Sequence, residues 1–192
     1  MNAGRGRLAP GTQLLLVALA FLVPLALAFW LYYGGHAFAP EGRTNHGELL
    51  QPIVNLRDAL PESRTAALAE DRWLLVHVHG GACEADCRDA LYRLRQSHRM
   101  LGRDMQRVQR VFLHGPEGPD RVFLEHEHPG LLAFEDPAAA ALITGKRPQD
   151  RAPGGLYLID PLGNLVMYFP PDVAPGDMVD DIEHLLDLSQ IG

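Results

Sequence analysis

The stretch Trp73-Leu74-Leu75-Val76-His77-Val78-His79-Gly80-Gly81-Ala82-Cys83-Glu84-Ala85-Asp86-Cys87 decides how the rest of the chain is read. Its first seven residues are apolar and β-branched apart from two histidines, and Gly80-Gly81 ends the run, as in a buried strand entering a loop. Two cysteines follow at once, spaced Cys-x-x-x-Cys, and they are the only two in the 192 residues. Across residues 84–101, Cys87, Leu91, Leu94, His98 and Leu101 recur at steps of four, three, four and three, which is one face of an α-helix. Gly102 supplies its stop, and Glu84 and Asp86 suit its positive N-terminal end. The cysteine pair therefore sits where a strand hands over to a helix, the place at which α/β sheets carry their chemistry.

Downstream the alternation continues. Residues 108–113 read as a second strand, 119–127 as a weak helix, and 131–134 as a short third strand. Asp136 is placed to cap a short helix over 138–143 that has Pro137 at its first position. Residues 156–159 and 165–169 flank Asp160-Pro161-Leu162-Gly163-Asn164, a turn-rich insert that predicts a β-hairpin. Residues 178–188 close as an amphipathic helix, with Asp177, Asp180 and Asp181 near its N-terminal end, where the helix dipole accounts for them. The order β-α-β-α-β-α-β-β-α is an α/β domain over 73–192 with a hairpin late in the sheet.

Upstream, residues 14–33 contain no ionisable side chain except two tyrosines. Twenty residues of helix span about 30 Å, the thickness of a bilayer's hydrocarbon core. Arg5 and Arg7 precede the run, and Trp30, Tyr32 and Tyr33 crowd its far end. The positive-inside rule then places residues 1–13 in the cytoplasm and the chain beyond the span on the outer side. Ala26-Leu27-Ala28 and Ala37-Phe38-Ala39 offer signal-cleavage sites, but the apolar run exceeds a signal core of roughly 7 to 15 residues, so a retained single-pass anchor is expected. Residues 34–72, with Gly34, Gly35, Pro40, Gly42, Pro52 and Pro61, read as a linker followed by an irregular segment. For a bacterial chain this puts the domain in the periplasm on the inner membrane, an oxidising compartment in which neighbouring thiols form a disulfide unless reduced or metallated.

Composition narrows the function further. Seventeen basic against twenty-four acidic residues give a net charge of −7, which argues against nucleic acid as a partner, and 47% hydrophobic with 21% charged residues is globular. The chain holds no Gly-rich phosphate loop, nucleophile elbow, H-E-x-x-H pair or Cys-x-x-Cys-His motif, which removes the usual kinase, hydrolase, zinc-protease and cytochrome readings.

Four helical residues separate Cα atoms by about 6 Å, inside the roughly 4.4 to 6.8 Å a disulfide tolerates, so Cys83 and Cys87 are able to join and part with little backbone motion. A helix N-terminus favours the thiolate, which is both the nucleophile of disulfide exchange and a soft ligand for Cu(I). An inert structural disulfide that fixes the loop is the third reading. By the strand period of two, His77 and His79 share one side, and His79 stands four residues before Cys83, which makes His79 the candidate third donor; a solvated strand-end histidine is the alternative. His98 shares the face of Cys87 but lies about 16 Å along the helix, too far for the same ligand shell. Glu125-His126-Glu127-His128 beside Pro129-Gly130 reads as a solvated turn.

With one N-terminal span, the Cys83/Cys87 loop between strand and helix, and the hairpin Leu156-Tyr157-Leu158-Ile159-Asp160-Pro161-Leu162-Gly163-Asn164, the chain resembles the thioredoxin-like superfamily and, within it, the membrane-anchored Sco/SenC family. The resemblance implies a thioredoxin-like fold, a central mixed sheet flanked by helices behind one transmembrane helix. It also implies Cu(I) bound by Cys83 and Cys87, and a role in assembling the copper centre of cytochrome c oxidase, with an oxidase subunit or another copper-site protein as partner. Reduction of partner cysteines is the companion role; a general periplasmic thiol-disulfide oxidoreductase and a non-catalytic scaffold are the alternatives. The chain departs from the family pattern twice: Arg88 stands where a proline follows the second cysteine, and Ala152 where a copper-ligating histidine precedes the hairpin. Pro153 matches the position of the thioredoxin-type cis-proline.

Overall fold

The computed structural model describes residues 10–34 and 45–189, and within the first of these the side chains of 11–27 and 29–30. The chain divides into two compact units, Met1–Arg43 and Thr44–Gly192.

In the first unit, α1 (Pro10–Gly34) is a 25-residue helix with Pro24 inside it. Among its described side chains the leucines, valines and phenylalanines, Leu14, Phe21 and Leu25 included, are exposed. Among the described residues no helix is long and apolar enough to cross a membrane. The span predicted over 14–33 takes in 28 and 31–33, whose side chains lie outside the described residues, as do residues 1–9 of the predicted cytoplasmic end.

The second unit is a six-stranded mixed sheet in the order β1-β6-β5-β2-β3-β4. Its strands are β1 (Glu48–Asn55), β2 (Trp73–His79), β3 (Val108–His114), β4 (Leu132–Phe134), β5 (Leu156–Ile159) and β6 (Asn164–Phe169). β2 is central, parallel to β3 and antiparallel to β5, and β5 and β6 form the predicted hairpin. The helices are α2 (Leu56–Ala59), α3 (Arg64–Leu68), α4 (Ala85–Met100), α5 (Arg121–Glu127), α6 (Pro137–Thr144) and α7 (Pro175–Leu188).

Both faces of the sheet are covered, which is why β2 reads as a continuous apolar run rather than an alternating one. Trp73 and Leu75 join one core with Leu91 and Leu94 of α4 and Met178 and Ile182 of α7. Leu74 and Val76 point the other way, into a core with Leu56, Ala66, Ala139 and Ile143. Asp136 caps α6 as predicted, its Oδ1 accepting from Ala139 N at 3.1 Å, while its Oδ2 accepts from Ser63 Oγ and from Thr65 Oγ1 and N at 2.7, 2.8 and 3.1 Å. One carboxylate thus holds α3 to α6.

Of the predicted linker and irregular segment over 34–72, residues 35–44 lie outside the described residues, and the remainder differs from the expectation. The part from 45 on belongs to the compact unit and supplies β1, α2 and α3. β1 is an edge strand with a register shift between Leu49 and Val54, and Pro52 interrupts it, so its sequence carries no clean strand period. Asp181 also differs from the reading as a dipole partner: it is buried, and its carboxylate accepts from His46 N and Gly47 N at 3.2 and 2.7 Å, pinning the start of the domain to α7.

Candidate functional site

β2 sets the site by its period. The face that carries Trp73 and Leu75 continues through His77 and His79, so two imidazoles emerge from the core beneath the start of α4. His77 is 1% exposed and stacks on Phe112 at 5.5 Å between ring centroids, with the His79 ring 6.2 Å away. The loop after His79 is drawn against the loop after β3: Gly115 N donates to His79 O at 3.1 Å, and a Cβ on Gly115 would lie 2.0 Å from Gly80 O.

Cys83 and Cys87 straddle the N-terminus of α4 and are joined as a disulfide with Cα atoms 5.0 Å apart. The two sulfurs differ in access. Cys87, in the first turn, is 1% exposed, whereas Cys83 is half-buried, packed on the rim of the same core between the exposed Gly81, Ala82 and Glu84. Glu84 offers the helix no side-chain cap, so the first-turn N–H groups beside the sulfur pair take no side-chain acceptor from it. Arg88, where the resembled family has proline, donates from Nε to Cys83 O at 3.4 Å and lies over the Phe123 ring at 4.7 Å. It braces the loop from the α4 side.

The opposite wall is the segment before β5. A cavity of about 280 Å³ is lined by His77, His79, Cys87, Arg93, Pro153 and Gly154, among others. Tyr168, fully buried, accepts from Gly155 N at 3.1 Å and donates to Ala152 O, so one hydroxyl fixes both ends of the 152–155 segment. A Cβ on Gly155 would meet Phe169 O at 2.1 Å, which reserves that position for glycine. Pro153 stands at the position of the thioredoxin-type cis-proline, but among the described residues the cis peptide is Gln51-Pro52. Ala152 supplies no ligand, so Pro153 and Gly154 face the cysteine loop with backbone and ring atoms only.

His77 Nδ1 lies 3.2 Å from Gly155 O, and its Nε2 is buried without a hydrogen-bond partner. Burial pushes its pKa down to about 4, with His79 and Arg93 acting in the same direction and the bond to Gly155 opposing. It is neutral at pH 7, and since a carbonyl only accepts, Nδ1 carries the proton and Nε2 the lone pair. His79 Nε2 lies 3.0 Å from Ala82 O.

The ligand atoms of His77, His79 and Cys87 fall within 4.8 Å of one another. The predicted donor His79 is thus joined by His77, which the strand period places on the right side but whose dryness only the packing reveals. His46, Asp177 and Asp180 form the other such cluster among the described residues, on the surface. His98 is held by the carbonyls of Val108 and Met105 at 2.8 and 3.0 Å, away from the site. His126 is exposed at the end of α5, and His128 is buried against Phe123 rather than solvated.

The chemistry available follows from this asymmetry. A thiolate from outside reaches the Cys83 sulfur, forms a mixed disulfide there, and displaces Cys87 as a thiolate at the helix N-terminus; attack by Cys87 on the mixed disulfide reverses the step. In the reduced state two thiolates and at least one neutral imidazole converge, a donor set suited to a soft monovalent metal.

A central strand that hands a cysteine pair to a helix N-terminus, on a mixed sheet closed by a late hairpin, defines a thioredoxin-like domain. The family model described as "Transmembrane-like, thioredoxin-like, C-terminal domain" matches residues 73–189, and the chain belongs to that family. No protein of curated function matches the chain. Among solved structures, apo Sco1 from Thermus thermophilus superposes with a TM-score of 0.52 at 20% identity, over 73% of this chain and 96% of that one. Yeast Sco1 with copper bound gives 0.52 at 18% identity over 64% and 80% of the two chains, and Arabidopsis thaliana ScoI with copper bound 0.51 at 15% over 64% and 89%. At these identities the likeness is one of fold.

Proposed function

We propose that the chain is a Sco-like factor, anchored in the inner membrane by residues 14–33 with its thioredoxin-like domain in the periplasm, that serves cytochrome c oxidase assembly. Its cargo is Cu(I), taken up by the thiolates of Cys83 and Cys87 with imidazole support, or its task is to reduce the cysteines of a copper-site partner so that the partner takes the metal. The observation that carries the reading is the meeting of Cys87 with His77 and His79, ligand atoms within 4.8 Å, at the mouth of the central strand. The donors fit the cargo, because thiolate and neutral imidazole are both ligands that Cu(I) accepts. That two of the structures sharing this fold have copper bound supports the choice of metal.

General thiol-disulfide exchange is the second reading. It is favoured by the unequal access of the two sulfurs, which gives one attackable and one resolving cysteine. The two readings separate in one experiment on the reduced chain in detergent: Cu(I) titration beside the Cys83→Ser and Cys87→Ser variants, together with the reduction potential of the pair. Cysteine-dependent uptake of one Cu(I) supports delivery. A potential in the exchangeable range without uptake supports the oxidoreductase, and neither leaves a scaffold with a structural disulfide.

A further inference from the structure

The buried face of His77 has no role in exchange between thiols. Its Nδ1–H donates to Gly155 O, its Nε2 has no partner, and the residue is 1% exposed. Buried polar atoms are paired almost without exception, so an imidazole lone pair kept dry and unpaired in a cluster with the Cys87 sulfur requires an account. Three independent features fix it in place: the Phe112 ring stacked on it at 5.5 Å, the carbonyl of the Tyr168-anchored segment, and the central strand itself. His79, half-buried, is held differently, its Nε2 against Ala82 O in the loop that bears Cys83. Ala152, on the segment before β5, brings no donor of its own.

We propose that His77, through Nε2, is the third ligand to Cu(I) at the reduced Cys83/Cys87 pair, so that the donor set of this chain lies within one strand, loop and helix turn. This rests on the copper reading above and names its missing ligand. Loading begins from the dithiol. A small dithiol reductant gives two electrons and two protons to the Cys83–Cys87 disulfide and becomes its own cyclic disulfide. Cu(I) then replaces the two thiol protons, which leave to solvent, and takes the His77 lone pair with no proton lost.

The test uses the full chain in detergent, reduced and kept anaerobic, with Cu(I) partitioned against bicinchoninate and its coordination read by X-ray absorption. Wild-type protein shows two sulfur and one nitrogen scatterers. His77→Gln loses the nitrogen and at least tenfold in Cu(I) affinity while still titrating two thiols, and His79→Gln keeps the nitrogen. A nitrogen retained in His77→Gln, or lost in His79→Gln instead, overturns the assignment of His77 and leaves the copper reading standing. Wild-type protein that holds Cu(I) no better than Cys83→Ser/Cys87→Ser overturns both. Should His77→Gln fail to fold, the imidazole ¹⁵N resonances of the wild type decide: a shift of His77 Nε2 on adding Cu(I) supports the ligand, and an unmoved resonance refutes it.

Discussion

Replacing Tyr168 by Phe removes a single oxygen, and the structure sets what that oxygen holds. It accepts from Gly155 N at 3.1 Å, donates to Ala152 O, and belongs to a fully buried residue. Each net hydrogen bond contributes about 1 kcal/mol, and a buried N–H left without a partner costs about 1 to 3 kcal/mol. The ring and its packing against Tyr157, 4.7 Å between centroids, survive the change. The sum is a loss of about 2 to 4 kcal/mol, which for a domain of this size lowers Tm by roughly 4 to 16 °C at 2 to 4 °C per kcal/mol. Thermal unfolding of wild-type and Tyr168→Phe protein, followed by near-ultraviolet circular dichroism with the disulfide intact, measures it. A second effect is local, since Gly155 O is the partner of His77 Nδ1. A freed 152–155 segment lets the imidazole turn, so amide exchange at Gly155 quickens. A Tm within 2 °C of wild type, with Gly155 still protected, would show that the segment is held by something other than the Tyr168 hydroxyl and refute the reasoning.

Further outcomes follow from the same geometry. Gly115→Ala should cost about 2 to 4 kcal/mol in denaturant unfolding, because its Cβ would stand 2.0 Å from the backbone oxygen of Gly80, whereas Gly80→Ala, whose Cβ meets nothing within 4 Å, should cost about 1 kcal/mol or less. In the reduced protein a bulky maleimide should label Cys83 at least tenfold faster than Cys87, half-buried against 1% exposed; equal rates would contradict the assignment of attackable and resolving sulfurs. Burial raises the Asp136 carboxyl, but hydrogen bonds from Ser63, Thr65 and Ala139 outweigh it and hold the pKa below the ordinary carboxylate value. A depressed folded pKa gives stability that is present above the unfolded value near 4 and is lost as pH falls through the folded one. Asp136→Asn should therefore be about 2 kcal/mol less stable than wild type at pH 7, with the gap closing in urea titrations below pH 4; a gap that is constant with pH would locate the loss outside the carboxylate charge.

The parts of the fold legible in the sequence are those in which local period and burial agree. Residues 73–79 and the helix over 84–101 fall on β2 and α4 to within a residue, and the hairpin and the Asp136 cap sit as their turn and capping residues dictate. β1 was hidden because Pro52 and the bulge erase its alternation; its pairing with β6 is a tertiary fact. The cysteine pair was legible, since spacing, helix start and strand end are all local. His77 was half legible: the period put it beside His79, but nothing in the sequence says that Phe112 and the 152–155 segment close over one ring and not the other. Asp181 was misread because its partners, His46 and Gly47, are far away in the chain and are backbone groups with no side-chain signature.

The two margins of the sheet bear on how such a domain survives at high local density. On one side β4 is three residues long and offers little to copy; on the other, β1 shows Leu49 and Ile53 to solvent yet is broken by Pro52 and a register shift. A neighbour's strand laid along that rim meets a missing donor and a kink before it gains three consecutive rungs. Crowding many copies on one surface therefore does not favour their polymerisation through the sheet, and the hydrophobic rim residues stay available without becoming a seed.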